Sequence, residues 1–250
     1  MEVQRSEEQE TTTFVQNGEI RDYVFPLFEV EQCADHLRAR RFLGSAFFLG
    51  QRNHALTAGH VLRDVRLPVA ALLVDESGWR PFAVRDYEAH PTEDVAVMSI
   101  EPPGPNQSWS SIATLTNEWH GSSLHYHTWG YPEDAAYEVV ERDAMTVRPD
   151  LVYSEGHVRR RLTGVPLPAV GGGQFFELSA VAGAGCSGGP IFTRIPGSMW
   201  NLVGIYVGER VNDRATSVGY AVRIEAVRDW VPELLGRSLI DEGSEQGESR

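Results

Sequence analysis

Short apolar stretches separated by turn-forming residues recur through the first half of this chain, without a long helical repeat between them. They lie at 24–30, 42–50, 54–57, 69–74, 79–87 and 95–100. Runs of this length, bounded by Gly, Pro, Asn and Asp, are typical of β-strands. Because six short strands follow one another, we predict an antiparallel barrel in the first half.

The same pattern returns after a break at 101–106, where three prolines fall within five positions and cannot continue a sheet ladder. Further strands are predicted within 121–132 and at 138–147, 152–162, 175–179, 191–194, 201–207 and 219–222. Near the C-terminus the pattern changes: apolar residues at 227, 230, 231 and 234 form a helical stripe.

These patterns predict an ordered succession of units along the chain. We expect a flexible acidic lead over 1–21, a first barrel over 22–104, a connection over 105–120, a second barrel over 121–224, a helix over 225–235 and a disordered tail over 236–250.

Composition narrows the class of protein. A chain of 250 residues with 42% hydrophobic residues can bury a sizeable core without a metal or disulfide staple. The net charge of −13 argues against nucleic acid or an anionic membrane as the main partner. Only Cys33 and Cys186 are present, so no secreted-type disulfide framework exists. The N-terminus has no apolar leader and no membrane-spanning run follows, from which we expect a cytoplasmic location.

The most distinctive chemistry lies in the glycine-dense stretch 183–192, around Ser187. Gly185, Gly188 and Gly189 can adopt backbone angles closed to other residues, so that main-chain N–H groups can turn toward one point beside the serine hydroxyl. That arrangement would form an oxyanion hole. The alternative is a glycine-rich turn between strands in which the serine has no role.

A serine nucleophile needs a base and a group that orients the base, and both have candidates upstream. His60 ends the apolar run T-A-G-H, and Asp94 heads the strand-like run E-D-V-A-V. Together with G-C-S-G-G-P around Ser187, these motifs resemble T-A-A-H, D-I-A-L and G-D-S-G-G-P of the trypsin-like serine peptidases. The resemblance covers about residues 22–235 and is closer to bacterial members.

That resemblance implies an all-β fold of two packed six-stranded antiparallel barrels, the chymotrypsin fold, with a C-terminal helix. It implies serine endopeptidase activity through an acyl-enzyme, with Ser187 as nucleophile, His60 as general base and Asp94 as its orienting acid. The N–H groups of Gly185 and Ser187 would bind the oxyanion. The site would lie in the cleft between the barrels, and no cofactor or metal is expected.

Cys186 departs from the family pattern, in which secreted digestive members carry an aspartate that pairs with the new N-terminus after zymogen cleavage. A cysteine cannot make that ion pair, so this chain is expected to have no such switch. Two alternatives are a thiol nucleophile at Cys186 and a redox-sensitive thiol beside the site. Because cysteine versions of this fold place the thiol where Ser187 stands, we favour the serine.

The resemblance also suggests which residues line the primary specificity pocket. Its base would include Val181 and Ala182, and its walls Tyr206, Val207, Gly208, Glu209 and Gly219. No carboxylate occupies the base position that selects Arg or Lys, which favours a small or medium apolar side chain before the scissile bond. Glu209 and Asp213 are near enough in sequence to restore a basic preference.

Other ionisable residues offer weaker alternatives. Asp75 and Asp86 lack the strand-heading position of Asp94. The remaining histidines sit in no matching motif and are expected to be structural: His36, His54, His90, His120, His125, His127 and His157. Alternate positions on one strand would let His125 and His127 share a metal, but no acid in register is evident.

The expected partners are a protein or peptide substrate and, if the enzyme is latent alone, an activating protein. Because an intracellular protease without a zymogen switch needs restraint, we expect a narrow substrate range or such a partner. The alternative function is a latent or non-catalytic peptide-binding module on the same fold.

Overall fold

A computed structural model of the chain describes residues 18–33, 37–75, 78–141, 144–167, 170–194, 200–211 and 217–244. Most of the predicted lead, and the end of the predicted tail, lie outside these residues. None of the helices in the described ranges is long and apolar enough to cross a membrane.

The described residues are mostly β-strands. The strands are β1 (Val24–Gln32), β2 (Leu37–Leu49), β3 (His54–Thr57), β4 (Val69–Asp75), β5 (Gly78–Ala89), β6 (Ala96–Ile100), β7 (Ala113–Thr114), β8 (His125–Gly130), β9 (Ala136–Glu141), β10 (Ala144–Pro149), β11 (Val152–Thr163), β12 (Gln174–Leu178), β13 (Pro190–Arg194), β14 (Trp200–Val211) and β15 (Ser217–Arg223). The α-helices are α1 (Gly59–Arg63) and α2 (Leu239–Ser244), and 3-10 helices span Ile20–Asp22, Glu133–Ala135 and Ile224–Ala226.

The first six strands form a closed barrel in the order β1-β2-β3-β6-β5-β4. Apolar side chains such as Phe25, Phe47 and Leu56 are buried in it, which explains the apolar runs in the sequence. Trp109, from the connection that follows, stacks on Phe48 with ring centroids 5.2 Å apart. The connection therefore adds to the packing of the first barrel.

Six strands of the second half form an antiparallel sheet in the order β13-β8-β11-β12-β15-β14, and an additional pairing joins β13 to β14. Strand β7 pairs in parallel with β14, and β9 and β10 form a separate two-stranded hairpin. A buried cluster that includes Tyr126, Phe176, Ile191 and Tyr206 packs within this sheet. The predicted fold class, two six-stranded antiparallel units with a short C-terminal helix, is confirmed.

The two units pack directly against each other. The Tyr131 hydroxyl donates to the carbonyl oxygen of Val24 at 3.1 Å, and the rings of Phe47 and Phe192 meet edge to face at 6.1 Å between centroids. A single hydrophobic cluster contains residues of both units. This packing gives the two halves a common interface, along which the candidate site lies.

The predicted position of the C-terminal helix, 225–235, is wrong. A 3-10 helix at Ile224–Ala226 is followed by turns, and α2 lies at Leu239–Ser244, in the stretch expected to be a disordered tail. Pro232 lacks an N–H donor and disfavours helical angles at the residue before it, so a helix cannot run through this segment easily. The apolar residues serve packing instead: Val227 is buried, and Trp230 lies edge-on to His90.

Candidate active site

His60 lies in α1, directly after strand β3, and it contacts Asp94 through two atoms. Its main-chain N–H donates to Asp94 Oδ1 at 2.8 Å, and its ring Nδ1 lies 2.6 Å from Asp94 Oδ2. An ionised carboxylate only accepts hydrogen bonds, so this contact puts the proton on Nδ1 and leaves the lone pair on Nε2. The contact fixes both the orientation and the tautomer of the imidazole.

Asp94 is held in place by the strand that it precedes. Strand β6 pairs with β3 so that Ala96 stands opposite Thr57, which brings the preceding carboxylate under the start of α1. The Asp94 side chain is fully buried, and a buried carboxylate requires such hydrogen-bond donors. Gly59 permits the approach, because a Cβ there would lie only 3.1 Å from Asp94 Oδ1.

The loop around Ser187 is packed against the first barrel. The carbonyl oxygen of Ser187 accepts from Ser45 N–H at 2.8 Å, and the hydroxyl of Ser45 donates to the carbonyl of Gly185 at 3.1 Å. A Cβ on Gly44 would touch both the Ser187 carbonyl oxygen and the side chain of Val61, the residue after His60. The fold thus brings the serine loop to the histidine turn. Among the described residues, no hydrogen bond joins the Ser187 hydroxyl to His60.

Two glycines of this loop adopt angles that other residues avoid. The φ angles of Gly185 and Gly188 are 93° and 91°. A Cβ at Gly188 would lie 2.0 Å from the carbonyl oxygen of Ser45. Among the described residues, no main-chain carbonyl accepts a hydrogen bond from the N–H group of Gly185 or of Ser187. Both N–H groups therefore suit an oxyanion hole.

Cys186 is turned away from the loop surface. Its side chain is buried, and its Sγ donates to the carbonyl oxygen of Ala182 at 3.0 Å. Burial, together with the negative charges of Asp134 and Glu209, raises the pKa of the thiol to about 12. Since the thiolate is the reactive form, this environment does not favour Cys186 as a nucleophile or as a redox-sensitive thiol.

Four of the predicted pocket residues, Ala182, Tyr206, Glu209 and Gly219, lie together around the Tyr206 side chain. Tyr206 is 1% exposed, and its hydroxyl oxygen accepts from Ala182 N–H at 3.2 Å while donating to Glu209 at 3.4 Å. A Cβ on Gly219 would lie 3.0 Å from the Tyr206 ring, so the glycine makes room for the phenol. The ring thus extends from the predicted wall to the predicted base, where Val181 and Ala182 are partly buried. Val207 is buried and Gly208 is partly buried beside it.

A cavity of about 390 Å³ lies beside the His60–Asp94 pair, and residues of both halves line it. Gly59, Arg63, His90 and Asp94 come from the first half, and Gly171 from the second. A larger cavity, of about 710 Å³, lies around Trp79 and Tyr131 and contains none of the predicted site residues. The smaller cavity borders Asp94, but neither His60 nor Ser187 lines it, so it lies behind the pair and not where a substrate would meet the serine.

Ser45 and Glu93 make contacts here that the sequence patterns did not predict. Ser45 is fully buried, and besides donating to Gly185 its hydroxyl accepts from Tyr131 N–H at 2.9 Å. Glu93 accepts from the N–H groups of Gly173 and Gln174 in the second half. A buried serine within an apolar run is the only signal that the sequence offered for Ser45.

The remaining ionisable candidates take other positions. The ring of His54 binds Glu242 at 2.7 Å, His90 accepts from Glu93 N–H at 2.9 Å, and His120 contacts Asn201 at 3.2 Å. Asp86 is exposed and accepts from Tyr87 N–H. His36 and Asp213 lie outside the described residues, and of Asp75 only its place at the end of β4 is described. His125, His127 and His157 lie together on another face.

The fold and this arrangement define a chymotrypsin-like, two-barrel protein, and comparison with known proteins identifies the family. The model of the trypsin-like peptidase domain matches residues 44–205. The chain belongs to the trypsin-like peptidase family.

Two solved structures have the same fold. The apo MamO protease domain from Magnetospirillum magneticum is 12% identical, with a TM-score of 0.59 over 83% of this chain and 95% of that chain. The HtrA-type protease AlgW, solved with a decapeptide, is 15% identical, with a TM-score of 0.55 over 82% of this chain and 62% of that chain. A search of curated proteins gives no significant match.

Proposed function

We propose that this protein is a serine endopeptidase that hydrolyses peptide bonds of protein substrates through Ser187, His60 and Asp94. The observation that carries the proposal is the two-atom contact between His60 and a fully buried Asp94. Surface pairs of histidine and carboxylate are common, but a buried carboxylate that fixes the imidazole tautomer is what general-base catalysis needs.

In the proposed reaction, His60 Nε2 accepts the proton of the Ser187 hydroxyl while the serine oxygen attacks the substrate carbonyl carbon. The imidazolium then donates this proton to the leaving amine as the peptide bond breaks, leaving an acyl-enzyme. A water molecule then attacks the acyl-enzyme through the same two proton transfers, which releases the carboxylic acid product and restores the Ser187 hydroxyl. Throughout, Asp94 accepts from Nδ1–H and stabilises the positive charge on the ring.

The negative oxygen of each tetrahedral intermediate would be bound by the N–H groups of Gly185 and Ser187. Loss of one such donor in related chemistry lowers kcat by about 10²–10³-fold. The positive φ of Gly185 supports this role, since it lets the two N–H groups converge as they would in an anion-binding nest.

For specificity, we propose a small or medium apolar side chain before the scissile bond. We infer a shallow pocket because the Tyr206 ring is buried and its hydroxyl reaches Ala182 at the predicted base. Glu209 is exposed and accepts from the Tyr206 hydroxyl, so its carboxylate is engaged at the rim rather than at the base.

The substrate is proposed to be an extended peptide segment, in keeping with the decapeptide bound to the AlgW protease. A second candidate is a latent protease or peptide-binding module that a partner completes. It is favoured by the missing hydrogen bond between Ser187 and His60 among the described residues. Such bonds also tighten on substrate binding, however, so an active enzyme remains our proposal.

The test is labelling of the purified protein with a fluorophosphonate, followed by peptide mass spectrometry. We expect one adduct on Ser187, and none in the Ser187→Ala variant. Cys186→Ser is the matched control, since we expect it to keep the adduct. A folded protein without an adduct would contradict autonomous activity and favour the latent form, and an adduct elsewhere would contradict the assignment of Ser187.

A further inference from the structure

Three imidazoles and one carboxylate meet on one face of the second sheet, away from His60 and Asp94. They are His125 and His127 on β8 and Glu155 and His157 on β11, and we call them the β8–β11 histidine cluster. The proposed peptidase chemistry uses none of them.

The strand register creates this cluster. Strands β8 and β11 are antiparallel, with His127 directly opposite Glu155 and His125 directly opposite His157. Since alternate residues of a strand face the same side, the four side chains share one face. The expectation that no acid lies in register with His125 and His127 is therefore wrong.

The distances suit a metal ion. Glu155 Oε2 lies 3.6 Å from His125 Nε2 and 3.6 Å from His127 Nδ1. The candidate ligand atoms of these three residues all lie within 4.8 Å of one another. Zinc bonds to His and Glu of about 2.0–2.2 Å in a tetrahedral arrangement require about 3.3–3.5 Å between ligand atoms. Small rotations of these side chains, of which His125 and Glu155 are exposed and His127 is partly buried, would complete such a site.

We propose that the β8–β11 histidine cluster binds a divalent transition-metal ion, Zn²⁺ being the ion that its donors suit. Two imidazoles and a carboxylate are a known zinc ligand set, whereas Ca²⁺ and Mg²⁺ select oxygen ligands alone. The ring of His157 lies 4.9 Å from that of His125. The nitrogen atoms of His157 do not belong to the group that lies within 4.8 Å of one another, so a water would fill the fourth position.

A neighbouring tyrosine supports this assignment. The Tyr153 hydroxyl donates to Glu155 and lies 2.7 Å from His127 Nδ1. Metal-binding carboxylates are usually held by such an outer hydrogen bond, which fixes their orientation. When the ion binds to Nδ1 of His127, the hydroxyl keeps its bond to Glu155 alone.

The expected consequence of binding is a stabilised second sheet, because the ion joins two strands of the native state and has no preformed site in the unfolded chain. Strand β8 continues to Gly130, whose Cβ would lie 2.9 Å from the Cys186 side chain. A bound ion would thus stabilise a strand that packs against the serine loop.

The experiment is calorimetric titration of the full, metal-free chain with ZnCl₂, with a parallel measurement of melting temperature. We expect one ion per chain and a melting temperature that rises with Zn²⁺ concentration. Glu155→Gln and His125→Asn should each weaken binding at least about tenfold, since even outer-shell partners are worth 10–100-fold. Both side chains are roughly half exposed, at 52% and 45%, so neither change disturbs the core.

The matched control is His60→Ala, which removes the other imidazole that contacts a carboxylate. We expect it to bind Zn²⁺ as the unmodified protein does. Unchanged binding in both Glu155→Gln and His125→Asn, loss of binding in His60→Ala, or no binding by the unmodified chain would each overturn the proposal. No activity is measured, so the outcome is independent of the proposed peptidase function.

Discussion

At the scale of single residues, Tyr206 is the buried side chain at the centre of the proposed specificity pocket. The phenol is buried, its hydroxyl oxygen accepts from Ala182 N–H, and Gly219 leaves space for the ring. Burial raises the pKa of Tyr206 well above its usual range, so the hydroxyl stays protonated and can donate to Glu209. We therefore propose that the residue type at this position determines which substrate side chain fits.

We predict that Tyr206→Val shifts the preferred residue before the scissile bond toward larger apolar side chains such as Leu and Phe. The reason is that removal of the ring opens space between the wall and the base of the pocket. The measurement is kcat/KM for a peptide series that varies this residue. The ratio of large to small substrates should rise at least about tenfold, the effect of one or two methylenes in an apolar pocket.

The control for this prediction is Tyr126→Val, which removes a buried ring from the same cluster. The hydroxyl of Tyr126 donates to the carbonyl of Ala180 rather than contacting Ala182. Both variants should lose stability by about 3–5 kcal/mol, as truncation of large core side chains does. An equal change of substrate preference in both would show that Tyr206 has no special role.

At the scale of elements, helix α2 packs the C-terminal segment against the first barrel. Its Glu242 is 1% exposed and binds His54 of β3 at 2.7 Å as well as Arg237. Gly243 packs so closely on Leu49 and Leu115 that a Cβ would lie within 2.9 Å of both. Strand β3 leads directly to His60, so this attachment supports the base of the candidate site.

We predict that the Glu242 contact makes stability depend on acidic pH. Burial alone would raise the pKa of Glu242, but the hydrogen bonds and charges of His54 and Arg237 outweigh it and hold the pKa below its usual value. The unfolded chain then binds more protons at mildly acidic pH than the folded protein does. The contribution of Glu242 to the free energy of unfolding is therefore complete above about pH 4.5, and it falls as the pH drops through the pKa that Glu242 has in the folded protein.

The measurement is the free energy of unfolding in urea between about pH 3.5 and 5.5, a range that brackets the ordinary pKa of a glutamate side chain. The stability difference between the unmodified protein and Glu242→Gln should be largest at the upper end and shrink toward the lower end. Asp241→Asn, on the exposed side of α2, should show a smaller change. A difference that is constant with pH would refute the prediction.

At the scale of the whole molecule, the candidate site exists only because two barrels meet. Ser45 of β2 lies at this junction, with its hydroxyl between Gly185 and Tyr131 and its main chain bound to Ser187. Thr57 in turn donates to the carbonyl of Ser45 at 2.7 Å. These contacts hold the serine loop of the second barrel against the histidine-bearing part of the first.

We predict that Ser45→Ala lowers kcat/KM by about 10–100-fold, because small displacements of a nucleophile have effects of this size. The lost hydrogen bonds should also lower stability by about 1–3 kcal/mol. Steady-state kinetics on the best peptide and urea unfolding measure the two effects. Ser111→Ala is the control, since its hydroxyl also donates to a main-chain carbonyl, that of Ala113, but far from the site. Equal kinetic effects in both variants would contradict the prediction.

Local sequence patterns predicted much of this molecule. Apolar alternation and turn residues predicted the strands and the fold class, and three short motifs identified the family. These features depend on neighbours in sequence, for which backbone preferences and strand period are reliable guides. The catalytic roles of His60, Asp94 and Ser187 stay a prediction that labelling can test.

Tertiary structure decided what depends on partners distant in sequence. The strand register placed Glu155 opposite His127, and packing placed the Tyr206 hydroxyl against Ala182. The position of helix α2 at Leu239–Ser244 is held by the contact of Glu242 with His54, 188 positions earlier in the chain. A sequence pattern records which residues prefer to be buried, but the choice of their partners is made only when the whole chain packs.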